Sequence, residues 1–103
     1  MSWGLDKNQY EILKKILLEP MILKGARLYV FGSRARGTNH PFSDIDILYS
    51  ETAGNKISSH FLSEIKEALE NSALTIKVDL VRDTDLAKSY LPFVEKEKVE
   101  ILI

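Results

Sequence analysis

The chain contains no cysteine. That excludes a disulfide framework and any thiolate metal site, and it agrees with a cytoplasmic setting. No apolar run is longer than a few residues, far below the roughly 20 that cross a bilayer, so no membrane association is expected. The start, Met1-Ser2-Trp3-Gly4-Leu5-Asp6, has no basic region followed by an apolar stretch, so no signal peptide is expected. Neither sign of charge dominates. Fourteen Lys and Arg stand against fifteen Asp and Glu, a net charge of −1, which does not indicate a general nucleic-acid binder. One tryptophan, Trp3, and four tyrosines are scattered without the interleaving that stacks single strands. Internal repeats, low-complexity stretches and linkers are also missing.

What remains is an ordinary globular composition, 45% hydrophobic and 28% charged. The 103 residues suffice for one domain, residues 1–103, with one core and little room for a separate substrate lobe. One charge asymmetry stands out: Lys24, Arg27, Arg34 and Arg36 fall in a thirteen-residue stretch with no acid.

Periodicity predicts a helix from about Asp6 to Glu19. Asp6 and Gln9 form a capping box, Tyr10, Leu13 and Leu17 share a stripe with Ile16 beside it, and Pro20 marks the stop. Arg27 to Phe31 reads as a strand ending at Gly32, Arg34 to Gly37 as a helical turn, and Thr38-Asn39-His40-Pro41 as a loop. Ser43 to Tyr49 is a second strand and Ser50 to Asn55 a loop. Ile57 to Asn71 is an amphipathic helix with Phe61, Ile65, Ala68 and Leu69 on one face. Thr75 to Val81 is a third strand, with Ile76, Val78 and Leu80 facing one way and Lys77, Asp79 and Val81 the other. A short helical stretch around Asp85 to Tyr90, a helix starting at Pro92, and a last short strand over Val99 to Ile103 complete the chain. The expected fold is a mixed α/β (α+β) domain, a small mixed sheet flanked by helices.

Three clusters carry chemical potential. Asp44 and Asp46, ten residues beyond Gly32-Ser33, lie one residue apart on one strand face. Residues so spaced are about 6.6 Å apart, and their carboxylates can reach around two divalent ions roughly 3.5–4 Å apart. Oxygen ligands favour Mg²⁺ or Mn²⁺. A lone Asp-x-Asp is equally well explained as the wet face of a half-buried strand. Gly32-Ser33 follows a strand, where a glycine lets backbone approach a ligand and the next amides can face phosphate; taken alone, it is also an ordinary turn with a serine cap. Arg34 and Arg36 offer charge-assisted contacts to a triphosphate, against the default of solvated surface charge. Asp79 can join the two other acids, bind metal and help deprotonate a hydroxyl, or can sit on an exposed strand position paired with Lys77 or Arg82. His40 and His60 are expected to be structural or exposed.

Taken together, Gly32-Ser33-Arg34-Ala35-Arg36-Gly37, Pro41-Phe42-Ser43-Asp44-Ile45-Asp46-Ile47 and Val78-Asp79-Leu80-Val81 resemble the signature of the minimal nucleotidyltransferases of the DNA polymerase β nucleotidyltransferase superfamily. The resemblance covers about Arg27 to Val81. It implies that Gly32 and Ser33 hold the β- and γ-phosphates, with Arg36 and Arg34 nearby. It implies that Asp44, Asp46 and Asp79 bind two Mg²⁺ ions, and that an acceptor hydroxyl attacks the α-phosphorus of ATP with loss of pyrophosphate. Many small members are antitoxins paired with a HEPN-domain toxin, some transferring AMP to a toxin tyrosine. The resemblance therefore implies AMP transfer to a partner protein.

Two alternatives stand beside it: neutralisation of a partner by contact alone, and transfer to a small-molecule acceptor, which the short chain disfavours. Near the end the chain departs from many relatives, with Glu97-Lys98-Val99 where a glycine often precedes the last strand. Leu91, Phe93, Val94, Val99, Ile101 and Ile103 are expected mostly to close the domain's own core, with docking of a second protein as the alternative.

Overall fold

A computed structural model describes residues 3–103; Met1 and Ser2, part of the segment read for a leader, lie outside the described residues. The elements run α1 (Lys7–Leu13), a π-helical turn (Lys14–Leu18), α2 (Glu19–Leu23), β1 (Arg27–Phe31), α3 (Ser33–Arg36), β2 (Ile45–Ser50), α4 (Ser59–Glu70), β3 (Val78–Arg82), a 3₁₀ turn (Asp83–Asp85), α5 (Leu91–Glu97) and β4 (Val99–Glu100). The strands form one mixed sheet in the order β3-β2-β1-β4. β1 is antiparallel to both β2 and β4, while β2 and β3 are parallel. This is the mixed α/β architecture expected from the sequence. Among the described residues no helix is long and apolar enough to cross a membrane.

The first helix begins as expected: the Asp6 carboxylate accepts from the Gln9 amide at 2.7 Å and Gln9 returns the contact at 3.0 Å. It does not stop at Pro20 but continues to Leu23. A proline inside an α-helix strikes the carbonyl four residues back. Here a π turn, Lys14–Leu18, precedes Pro20 and spreads the carbonyls there. The wider turn also shifts the helix phase, so Leu17 and Leu18 both enter the core with Leu13 and Met21.

These four side chains pack with Leu28 and Val30 of β1 and Ile45 and Ile47 of β2, all at most 1% exposed. On α4, Ile65 is buried and Phe61, Leu62 and Leu69 are half-buried against the core, but Ala68 is exposed. The inward stripe therefore takes Leu62 rather than Ala68.

The second strand starts at Ile45 rather than Ser43, which leaves Asp44 just before the sheet. The third starts at Val78, because β2 supplies partners only from Ile45 onward. The stretch expected to be helical around Asp85 to Tyr90 is a 3₁₀ turn followed by turns. The last strand is only Val99–Glu100, pinned to β1 by the paired Arg27–Glu100 hydrogen bonds of 3.0 and 2.8 Å. Of the tail's apolar residues, Val94 and Ile101 are buried, whereas Phe93, Val99 and Ile103 remain exposed. Closure of the core thus accounts for only part of that set.

Candidate active site

The site lies where the end of β1 meets the starts of β2 and β3. Phe31, the last residue of β1, pairs with Asp46, and Asp46 in turn pairs with Asp79. Sheet register therefore places Phe31, Asp46 and Asp79 in a row across three adjacent strands, and Gly32 follows directly at the end of β1. Gly32 has φ +77° and ψ −156°, a backbone region that only glycine enters readily. A Cβ at Gly32 would collide with Asp46 Oδ2. Glycine is required there twice over, for conformation and for space.

A cleft of about 820 Å³ opens at this point. One wall carries Gly32, Arg36, Asp46 and Asp79; the other is formed by Leu86, Ser89, Tyr90, Phe93, Val94 and Glu97. One side is thus polar and charged, the other mostly apolar. Four of the residues expected from the sequence, Gly32, Arg36, Asp46 and Asp79, converge on this cleft. Ser33, Arg34 and Asp44 do not line it.

Arg34 has a different position from Arg36. Its side chain is buried, at 3% exposure. It donates to Ser43 O through Nε (3.1 Å) and Nη2 (2.8 Å), to Trp3 O at 3.0 Å and to Pro41 O at 3.4 Å. Burial pushes the guanidinium below its ordinary value, and nearby Asp44 partly offsets this. Arg34 is thus the post around which the loop leading to Asp44 is wrapped. Arg36 is exposed and reaches the cleft.

Asp46 is held above the usual carboxylate range, first by burial, then by the charges of Asp79 and Asp44, by a hydrogen bond with Asp79 and by the charge of Glu97. Asp79 also pairs with Lys77 Nζ at 3.4 Å. The surface-pair reading and the acid-cluster reading of Asp79 are therefore both visible in one side chain. Asp44 is exposed at the cluster's rim. Among the described residues no three His, Cys, Asp or Glu side chains form a ready-made metal cage. The donor chemistry nevertheless fits a hard divalent cation, since the assembled groups are carboxylate oxygens whose mutual repulsion a cation would relieve.

Sequence reasoning missed Glu97. Its Oε2 accepts from the Gly32 amide at 2.5 Å and its Oε1 from Arg36 Nη1 at 2.9 Å. A signal was present: a carboxylate in the last turn of a helix opposes the helix dipole. His40 is exposed, and exposed His60 lies 3.5 Å from Glu64, so neither histidine enters the cleft.

The sequence profile of the nucleotidyltransferase domain matches residues 10–102. Among solved structures, one described as a minimal nucleotidyltransferase superposes with a TM-score of 0.68 at 28% identity, covering 94% of this chain and 97% of the other. A toxin–antitoxin crystal structure with AMP-PNP gives 0.59 at 26% identity, covering 93% and 72%. A mutant of the MntA-HpeT toxin–antitoxin gives 0.59 at 25%, covering 95% and 72%. A comparison with curated proteins finds no match.

Proposed function

The chain belongs to the nucleotidyltransferase domain family, and from that premise we propose that it transfers AMP from ATP to a hydroxyl of a partner protein, as the antitoxin of a toxin–antitoxin pair. The observation that carries this reading is the convergence of Gly32, Arg36, Asp46 and Asp79 on one cleft. Support for the nucleotide and for the partner comes from the similar structures, one a toxin–antitoxin with AMP-PNP and one a mutant toxin–antitoxin pair. A HEPN-domain toxin, offering a tyrosine, is the partner this reading expects.

In this mechanism the Gly32 amide and the Arg36 guanidinium hold the β- and γ-phosphates. Both already donate to a carboxylate, Glu97, so both are oriented for an anion. Ser33, next in the turn, adds its hydroxyl. Arg34 serves by holding the 38–44 loop through the Ser43 and Pro41 carbonyls, which keeps Asp44 at the rim. Asp46 and Asp79, with Asp44, would hold Mg²⁺, two ions in the full assembly, or Mn²⁺. Bound there, the metal supplies charge neutralisation for the transferring phosphoryl group. Asp79 accepts the proton of the attacking hydroxyl, the new bond forms to the α-phosphorus, and pyrophosphate leaves. Little covalent work falls to the protein; positioning and charge do most of it.

The direct check is incubation with Mg·ATP and the cognate partner, read by intact mass. A gain of one AMP on the partner is expected, and a folded pair that never gains it contradicts the proposal. A second reading, neutralisation by contact alone, is favoured by the exposed Phe93, Leu102 and Ile103. The double change Asp44→Ala with Asp46→Ala separates the two, because contact alone would survive it.

A further inference from the structure

The two donors assigned to the triphosphate are both engaged by Glu97. Its carboxylate bridges the Gly32 amide (2.5 Å) and Arg36 Nη1 (2.9 Å), and its side chain is only 20% exposed. The same carboxylate adds negative charge at Asp46. Two features make this contact unusual. Helix α5 does not favour an acid in its last turn, where the dipole repels it. The site does not favour one either, since Asp46 and Asp79 already crowd it with like charge. Apart from this contact, α5 is held to the body through buried Val94, and the Lys98 amide closes its end on Val94 O at 2.8 Å. What holds Glu97 there is the pair of donors alone, the groups that an anionic ligand would use.

We propose that Glu97 is a built-in competitor for the phosphate site: it occupies the Gly32 and Arg36 donors in the free protein, and a nucleoside triphosphate enters by displacing it. This rests on the reading of Gly32 and Arg36 as phosphate donors. A triphosphate cannot share those donors with a carboxylate, for reasons of both space and charge. Displacement takes the Glu97 side chain off both donors, on a helix otherwise held through Val94. Glu97 therefore sets the nucleotide affinity of the free chain and discriminates between ligands by charge: a triphosphate can outcompete the carboxylate, whereas an uncharged nucleoside leaves it in place.

The test is calorimetric titration of the full chain with ATP, inorganic tripolyphosphate and adenosine, each with and without Mg²⁺, for wild type, Glu97→Gln, Glu97→Ala and Arg36→Gln. Glu97→Gln should bind ATP and tripolyphosphate roughly tenfold more tightly without metal, an advantage that shrinks as salt screens the removed charge. Adenosine should bind the two proteins equally. Glu97→Ala, which leaves no polar group behind, should show the same direction and covers the case in which Glu97→Gln does not fold. Wild type and variants binding ATP with equal affinity, while Arg36→Gln weakens it, would overturn the competitor role and leave the phosphate reading standing. Weaker binding by Glu97→Gln in Mg²⁺ alone would make Glu97 a metal ligand and also overturn it. Absence of any triphosphate binding, with Arg36→Gln no different from wild type, would remove the phosphate reading and the competitor with it.

Discussion

The two walls of the cleft are built by different means. The wall carrying Gly32, Asp46 and Asp79 is set by strand register, with Phe31, Asp46 and Asp79 side by side across β1, β2 and β3 and Gly32 next after Phe31. The facing wall, from Leu86 to Glu97, is a run of turns and a seven-residue helix, with Tyr90 and Phe93 exposed. The first wall is anchored to side chains that are essentially fully buried, such as Ile45 and Ile47. The second is anchored mainly through Val94. The proposed chemistry falls on the rigid wall and adaptability on the other, so changes in the two should fail in different ways.

The largest expected break is on the rigid wall's support. Arg34→Leu removes four hydrogen bonds to backbone carbonyls from a buried site. It should cost about 3 kcal/mol, whereas Arg36→Leu should cost less than about 0.5 kcal/mol. Urea denaturation of the two variants measures this, and equal losses would erase the distinction between the arginines. Gly32→Ala comes next. The φ of +77° and the collision with Asp46 predict a loss of about 2 kcal/mol and no detectable transfer. A variant with wild-type melting and activity would mean the turn is less constrained than described.

Loss of the Asp46 charge should act with the opposite sign on stability. Burial, then Asp79 and Asp44, hold the Asp46 carboxyl above its unfolded value. A carboxyl raised on folding contributes stability that is full below its unfolded value and is lost as pH rises through its folded value. Asp46→Asn should therefore abolish transfer yet raise the melting temperature of the metal-free protein, with the gain growing from acid toward neutral pH. A melting temperature that falls at neutral pH would contradict the charge crowding.

The smallest effect concerns the strand behind the adaptable wall. Glu100 is held below the usual carboxylate range by its hydrogen bond with Arg27, so the pair's modest support should fade as pH falls through that lowered value. Glu100→Gln should flatten that part of the stability profile, and an unchanged profile would show that β4 is not held by this pair.

The sequence made the rigid wall readable because its logic is local. Period-two alternation placed the strands, and Gly32, Asp46 and Asp79 stood out as residues that strands otherwise avoid. What stayed hidden depended on tertiary contact. Pro20 does not end its helix because a π turn accommodates it, and no local rule signals that turn. Arg34 and Arg36 look alike in sequence, and only the path of the 38–44 loop buries one of them. Glu97 lies 65 residues from Gly32, so its contact could not be read from spacing. The tail's apolar residues divide between core and surface by the side each presents, with Val94 and Ile101 buried and Phe93, Val99 and Ile103 exposed.

The central claim is that this cleft moves the α-phosphate of ATP onto a protein hydroxyl. The most direct measurement follows label from ATP carrying phosphorus-32 at either the α or the γ position, with Mg²⁺ and the partner protein present. The account predicts that α-label becomes covalently attached to the partner, that γ-label leaves in pyrophosphate, and that Asp46→Ala abolishes both. Attachment of γ-label, or attachment of α-label undiminished in Asp46→Ala, would contradict it.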